Sequence, residues 1–151
     1  MLKVGRNFQF EIPDVWEAAR DGDRWIFHGP SAGELIVTSL FVEGEGSPSE
    51  RKHAEVRLLD QALIAADEAA RQDGLRIVEP LAQKKFSSGI PSWSFVSEAI
   101  EEDILFTGAV FQHRDGVLFA TLEGPNSPNL LMTFQQFAGS VRPPITDSGG
   151  A

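Results

Sequence analysis

The spacing of apolar and polar residues changes several times along this chain, and each change marks an element. From residue 104 to 123, ILFTGAVFQHRDGVLFATLE, two β-rich runs flank Asp115-Gly116, a dipeptide suited to the positive φ angles of a tight hairpin turn. On the return run Val117, Phe119 and Thr121 alternate with Leu118, Ala120 and Leu122. Both sets are largely apolar, which predicts a strand covered on both faces and lying inside a sheet. Residues 34–42 show the same two-sided pattern, with Leu35, Val37, Ser39 and Phe41 against Ile36, Thr38, Leu40 and Val42. They too are expected to be central. Residues 8–12 instead alternate Phe8, Phe10 and Ile12 with Gln9 and Glu11 and stop at Pro13, the pattern of a half-buried strand. Trp16, in the turn or short helix that Asp14 opens, is expected to fold back on the core. A polar turn over 20–23 leads to a strand at 25–28 that ends at Gly29-Pro30, and 75–79 and 92–100 complete the strands. In the last of these Trp93, Phe95, Ser97 and Ala99 share one face.

Two stretches carry the helical period. Ser47-Pro48-Ser49-Glu50 combines an N-cap serine, a proline at the first helical position and the glutamate of a capping box. Val56, Leu59, Leu63, Ala66 and Ala70 follow at spacings of three and four, and Gly74 is a natural stop. The predicted helix is ~24 residues, or ~36 Å at ~1.5 Å per residue, enough to cross a small sheet. Ser127-Pro128 repeats the cap-then-proline start, with Leu130, Phe134, Phe137, Ala138 and Val141 as the apolar face and Pro143-Pro144 as the end. Residues 145–151 read as a flexible tail after a single domain over 1–144. The order β-β-β-α-β-β-β-β-α groups strands in runs. It predicts an α+β fold with a mainly antiparallel sheet of six to seven strands packed with two helices.

Composition sharpens this picture by exclusion. The 151 residues hold 22 acidic and 13 basic side chains, a net charge of −9. A field of that sign repels nucleic acid and anionic membranes and favours a basic partner. No apolar run reaches the ~18 residues of a membrane helix. The N-terminus has no apolar h-region, so a cytoplasmic location is the expectation. Cysteine is absent, which removes disulfides, thiolate metal sites and cysteine nucleophiles together.

Catalytic chemistry finds little to work with. His28, His53 and His113 fall in no paired-ligand spacing. There is no GxSxG elbow, and Gly44-Glu45-Gly46 lacks a following Gly-Lys-Ser/Thr and carries inside it an acid that would repel a phosphate. Asp21-Gly22-Asp23 and Glu101-Glu102-Asp103 lack the calcium-loop spacing. No catalytic, cofactor or metal residue is therefore assigned. The aromatics are the remaining candidates, and Trp93, Phe95, Phe111 and Phe119 are expected to form a partner-binding face if both helices pack on the same side of the sheet. If the helices cover opposite faces, these residues are core.

The order of elements resembles the PsbP-like fold family. Within it, Phe10-Glu11-Ile12-Pro13-Asp14-Val15-Trp16 is similar to the strand–Ile-Pro–x–x–Trp opening of the effector-associated (Eag) chaperones of bacterial type VI secretion. Gly89-Ile90-Pro91 before the paired strands, Thr121 to Pro125 after the hairpin, and Ser140-Val141-Arg142-Pro143 after the last helix agree with that pattern. The resemblance implies a non-catalytic protein that binds another protein through a sheet face or groove: a secretion-associated chaperone or adaptor whose partner is a secreted effector or toxin. Two alternatives stand beside it. One is an acidic immunity protein neutralising a basic toxin. The other is a small hydrolase or ligand-binding enzyme built on His28 or His113 beside a carboxylate. A homodimer is a further use of an apolar face.

Overall fold

The computed structural model describes residues 2–5, 7–22, 24–29 and 33–144. The elements are β1 (Leu2–Val4), β2 (Gln9–Glu11), β3 (Glu17–Asp21), β4 (Arg24–His28), β5 (Glu34–Phe41), α1 (Pro48–Ala70), β6 (Arg76–Gln83), β7 (Ser92–Ala99), β8 (Ile104–His113), β9 (Gly116–Pro125) and α2 (Pro128–Ser140). Seven strands form one sheet in the order β3-β4-β5-β9-β8-β7-β6, with every neighbouring pair antiparallel, and β1 and β2 form a separate two-stranded ribbon. The fold class is thus the expected α+β. β9, whose residues are apolar on both faces, is the middle strand of the seven. The predicted tail, 145–151, lies outside the described residues, as do Asp23 of the predicted turn and Pro30.

Two short strands, β1 and β3, have no counterpart in the apolar pattern. β3 reads Glu-Ala-Ala-Arg-Asp and is exposed along its whole length, so it has no alternation to detect. It forms because Gly22, at φ 63°, folds the chain back onto β4 with Glu17 opposite His28 and Asp21 opposite Arg24.

The central hairpin differs from expectation by one residue. His113 pairs with Gly116, so the loop is Arg114-Asp115, and it is Arg114 that takes the positive φ of 54°. Gly116 is required for space instead: a Cβ there would collide with the side chain of Asn7. Asp115 ties three parts of the chain together. Its carboxylate accepts from Asn7 Nδ2 at 3.1 Å and from Arg51 Nη2 of α1 at 3.3 Å, while its carbonyl accepts from the amide of Val42 just past β5 at 2.9 Å.

The helices cover opposite faces of the sheet. Under α2, Phe134, Phe137 and Ala138 meet Ala109 and Phe111 of β8 and Leu118, Ala120 and Leu122 of β9, and the same core takes in Phe27, Leu35 and Val37 of β4 and β5. Over that second half lies the N-terminal segment, through Phe8, Phe10, Ile12 and Trp16. Paired hydrogen bonds between Gln9 and Arg142 (2.8 and 3.0 Å), and one from the Glu11 amide to Ser140 Oγ (2.9 Å), bind it to the end of α2. The Phe10–Trp16 segment and the Ser140–Pro143 segment, distant in sequence, are therefore one structural unit. Trp16 lies against Gly29 and Gly33, where a Cβ on Gly29 would stand 2.6 Å from the indole ring.

α1 packs on β6, β7, β8 and β9. It has the predicted capping box, with the Glu50 amide donating to Ser47 Oγ at 3.1 Å and the Ser47 amide donating to Glu50 Oε1 at 3.3 Å. Its buried stripe is Ala62, Ala66 and Ala70, flanked by Leu58, Leu59 and Leu63. Val56, assigned to the stripe from spacing, is 49% exposed. Along this stripe the alanines present no long side chain to the sheet. The space is filled from below by Phe95, Phe106 and Val110. At its end, Ser97 Oγ of β7 donates to the Ala70 carbonyl at 2.8 Å, satisfying an acceptor that the helix itself leaves open.

Candidate partner-binding surface

Seven strands at about 4.8 Å spacing are wider than one helix of about 10–12 Å can cover. The α2 face has two covers, the helix and the N-terminal segment. The α1 face has one, placed over β6–β9. Among the described residues, the β3–β5 half of that face is left without a layer. The register defines what it presents. Ala19, Ile26, Ile36 and Thr121 lie in one row across β3, β4, β5 and β9, and Thr38 and Phe119 are neighbours in the next. Ile26, Ile36 and Leu40 are half-buried and belong to neither apolar core.

The two ends of this surface are polar in different ways. At one end Asp21 and Arg24 form an ion pair at 3.0 Å. At the other, Glu17 stands opposite His28, His28 opposite Glu34, and Glu34 opposite Glu123. Three carboxylates thus share one row. Like charges directly opposite on adjacent strands are destabilising, and His28 Nδ1 stands 3.8 Å from Glu34 Oε2.

The predicted site residues do not assemble here. Trp93 pairs with Val110 and Phe95 with Gly108, which puts both on the α1 face with Phe119, whereas Phe111, one position on from Val110, points to the α2 face. Phe95 and Phe111 are both 0% exposed. The first is sealed under α1, with its ring over Gly108, and the second under α2 against Phe137 at 6.4 Å between ring centroids. Trp93 and Phe119 are partly buried against the α1 core. These four aromatics are core and core margin, because opposite-face helices cover the strands that carry them. The surface left open is aliphatic instead. Its signal was the two-sided apolar pattern of residues 34–42, half of which, Ile36 and Leu40, has no cover.

Acid–base chemistry gains little from the geometry. His28 and Glu34 meet on the surface with side chains 57% and 44% exposed. His113 touches Phe8 edge-on at 6.4 Å, and desolvation, then the Arg114 charge, lowers its pKa from the ordinary imidazole value. A cleft of about 150 Å³ beside Trp16, Gly33, Leu130 and Thr133, and one of about 370 Å³ beside Ile12, Gln136 and Ser140, contain no histidine. Among the described residues no three histidine, aspartate or glutamate side chains gather as metal ligands, and no helix is long and apolar enough to cross a membrane.

No protein-family model matches the sequence, and no curated protein does. Solved structures do. LpqN, involved in cell envelope biogenesis of Mycobacterium tuberculosis, superimposes with a TM-score of 0.56 at 12% identity, covering 90% of this chain and 82% of LpqN. The cyanobacterial PsbP of Synechocystis sp. PCC 6803, CyanoP, gives 0.55 at 12% identity, covering 89% of this chain and 85% of its own. The fold is PsbP-like. The likeness spans nearly the whole chain at an identity that carries architecture alone.

Proposed function

We propose that this chain is a non-catalytic, cytoplasmic protein-binding domain, a chaperone or adaptor that engages a partner protein on the β3–β5 half of the α1 face. The observation that carries this reading is the group of Ile26, Ile36 and Leu40, partly exposed aliphatic residues on the α1 face that belong to neither apolar core. The similarity of the Phe10–Trp16 segment to type VI effector chaperones supports a secreted effector as the partner. The test is co-purification of the chain with the product of its neighbouring gene, beside an Ile26→Asp/Ile36→Asp variant. Capture by the parent chain and its loss in a folded variant is the expected result. A neighbour that is not captured, or is captured equally by both, removes the reading.

A second reading is favoured by the acidic row of Glu17, Glu34 and Glu123. An immunity protein would use it against a basic toxin, and the captured fragment would then be the toxic domain rather than an N-terminal segment, with binding steeply reduced by salt.

A further inference from the structure

The two edges of the sheet differ in how they are guarded. Exposed edge strands are protected in folded proteins by shortness, charged side chains, proline, bulges or covering segments. β6 contains Pro80, and its pairing with β7 shifts register between Ile77 and Glu79 and again between Glu79 and Ala82. β3, the opposite edge, has neither proline nor bulge and is guarded only by its shortness and its charges. Its five residues pair with β4 without a shift, and all are exposed. Its one cation is turned away from the edge. The Arg20 guanidinium lies 4.2 Å from the Trp25 ring centroid, and its Nε donates to the Gly22 carbonyl at 3.0 Å, so the side chain is folded back over the sheet.

The charges that remain on β3 select what can pair with it. Glu17 and Asp21 project on the same face as Ala19; Asp21 already meets Arg24 of β4 at 3.0 Å, so Glu17, which begins the acidic row that continues through His28 to Glu34 and Glu123, is the stronger selector. A second copy is disfavoured. Two β3 strands meeting antiparallel with all five residues overlapped place Glu17 against Asp21 twice, and each copy brings a net charge of −9. A lysine or arginine opposite Glu17 or Asp21 meets the reverse situation. We propose that the β3 edge is a strand-addition site for an extended, basic segment of another protein, with Lys or Arg facing Glu17 and Asp21 and a small or aliphatic residue facing Ala19. Backbone hydrogen bonds supply affinity that is independent of sequence, and the two acids supply the choice of partner. The added strand also widens the open aliphatic face by one strand.

This inference rests on the protein-binding reading but names a different contact from the Ile26–Ile36 surface, so the two fail separately. The probes are two acetylated, amidated heptapeptides, Thr-Lys-Thr-Val-Thr-Lys-Thr and the same sequence with Glu for each Lys, titrated into the isotopically labelled full chain. The lysine peptide should shift the amides of residues 17–21 and slow their hydrogen exchange, while amides of β6 at the other edge stay unchanged. The glutamate peptide should bind about 10-fold more weakly, within the roughly 30-fold that two exposed charge pairs of up to about 1 kcal/mol each allow. In a Glu17→Lys/Asp21→Lys variant whose remaining spectrum is unchanged, the preference should reverse. No shift on β3 at millimolar lysine peptide, equal binding of both peptides, or a preference that survives the charge reversal overturns the proposal. Shifts confined to Ile26, Ile36 and Leu40 overturn it too, while leaving the face-binding reading standing.

Discussion

Val37 and Ile36 are adjacent residues of β5 that face opposite layers, and exchanging each for threonine measures directly whether the α1 face is open. Threonine keeps the β-branch, so strand propensity is nearly constant. Val37 is 0% exposed and packs in the α2 core. Val37→Thr preserves shape and inserts a hydroxyl where water does not reach, at a cost of about 1–3 kcal/mol. Ile36 is half-buried and outside both cores. Ile36→Thr removes aliphatic surface worth about 0.8 kcal/mol per fully buried methylene, reduced by no more than about a third by its partial exposure, and the new hydroxyl keeps access to water. The expected loss is about 0.5–1 kcal/mol. In urea, with a slope of about 2 kcal/mol per molar, the midpoint falls by about 0.5–1.5 M for Val37→Thr and by less than about 0.5 M for Ile36→Thr. The ranking decides the matter. Isoleucine is the larger side chain, so if an unseen layer sealed this face, Ile36→Thr would lose more apolar volume and also bury a hydroxyl. A loss for Ile36→Thr equal to or above that for Val37→Thr would refute the open face.

Three further outcomes follow from particular contacts. Gly29→Ala places a Cβ 2.6 Å from the Trp16 ring, an overpacking that costs about 1–3 kcal/mol and lowers the thermal midpoint by about 2–4 °C per kcal/mol; an unchanged midpoint would show that Trp16 does not rest there. Asp115→Ala removes the acceptor shared by Asn7 and Arg51, with an expected loss of about 1–3 kcal/mol in urea unfolding for charge-assisted bonds at a partly buried carboxylate. His113 has a lowered pKa in the fold, through desolvation first and Arg114 second, so the unfolded chain binds its proton more readily. Its contribution to stability is complete above the ordinary imidazole value of about 6.5 and is lost as pH falls through the lowered folded value. His113→Gln should therefore flatten the loss of stability on acidification from pH 7 to 5, and an identical pH profile for parent and variant would contradict this.

The ends of elements were legible because local chemistry sets them. Ser47-Pro48 with Glu50, and Ser127-Pro128, are cap sequences whose hydrogen bonds close within three residues, and both helices begin there. β9 was legible as a central strand because two apolar faces require two layers, whatever those layers are. β3 was not, since five exposed residues have no period; it is a strand because Gly22 reverses the chain beside β4. The hairpin loop moved to Arg114-Asp115 because Gly116 is occupied in meeting Asn7, a residue more than a hundred positions away.

What lies over each face is a global property, and that is where sequence alone stopped. Periodicity shows that Phe95, Phe111, Ile36 and Val37 are apolar and alternate correctly, but it is blind to which of them meets a helix. The sequence by itself determined the class of the fold, both helices with their caps, and the central place of the hairpin, because these depend on propensities and contacts within a few residues. Only the tertiary structure decided that α1 and α2 take opposite faces, that the N-terminal segment serves as the second cover on one of them, and that β3–β5 are left open on the other. Those choices rest on the placement of layers far apart in the chain, and the same placement leaves Ile26, Ile36 and Leu40 outside both cores while it buries Phe95 and Phe111.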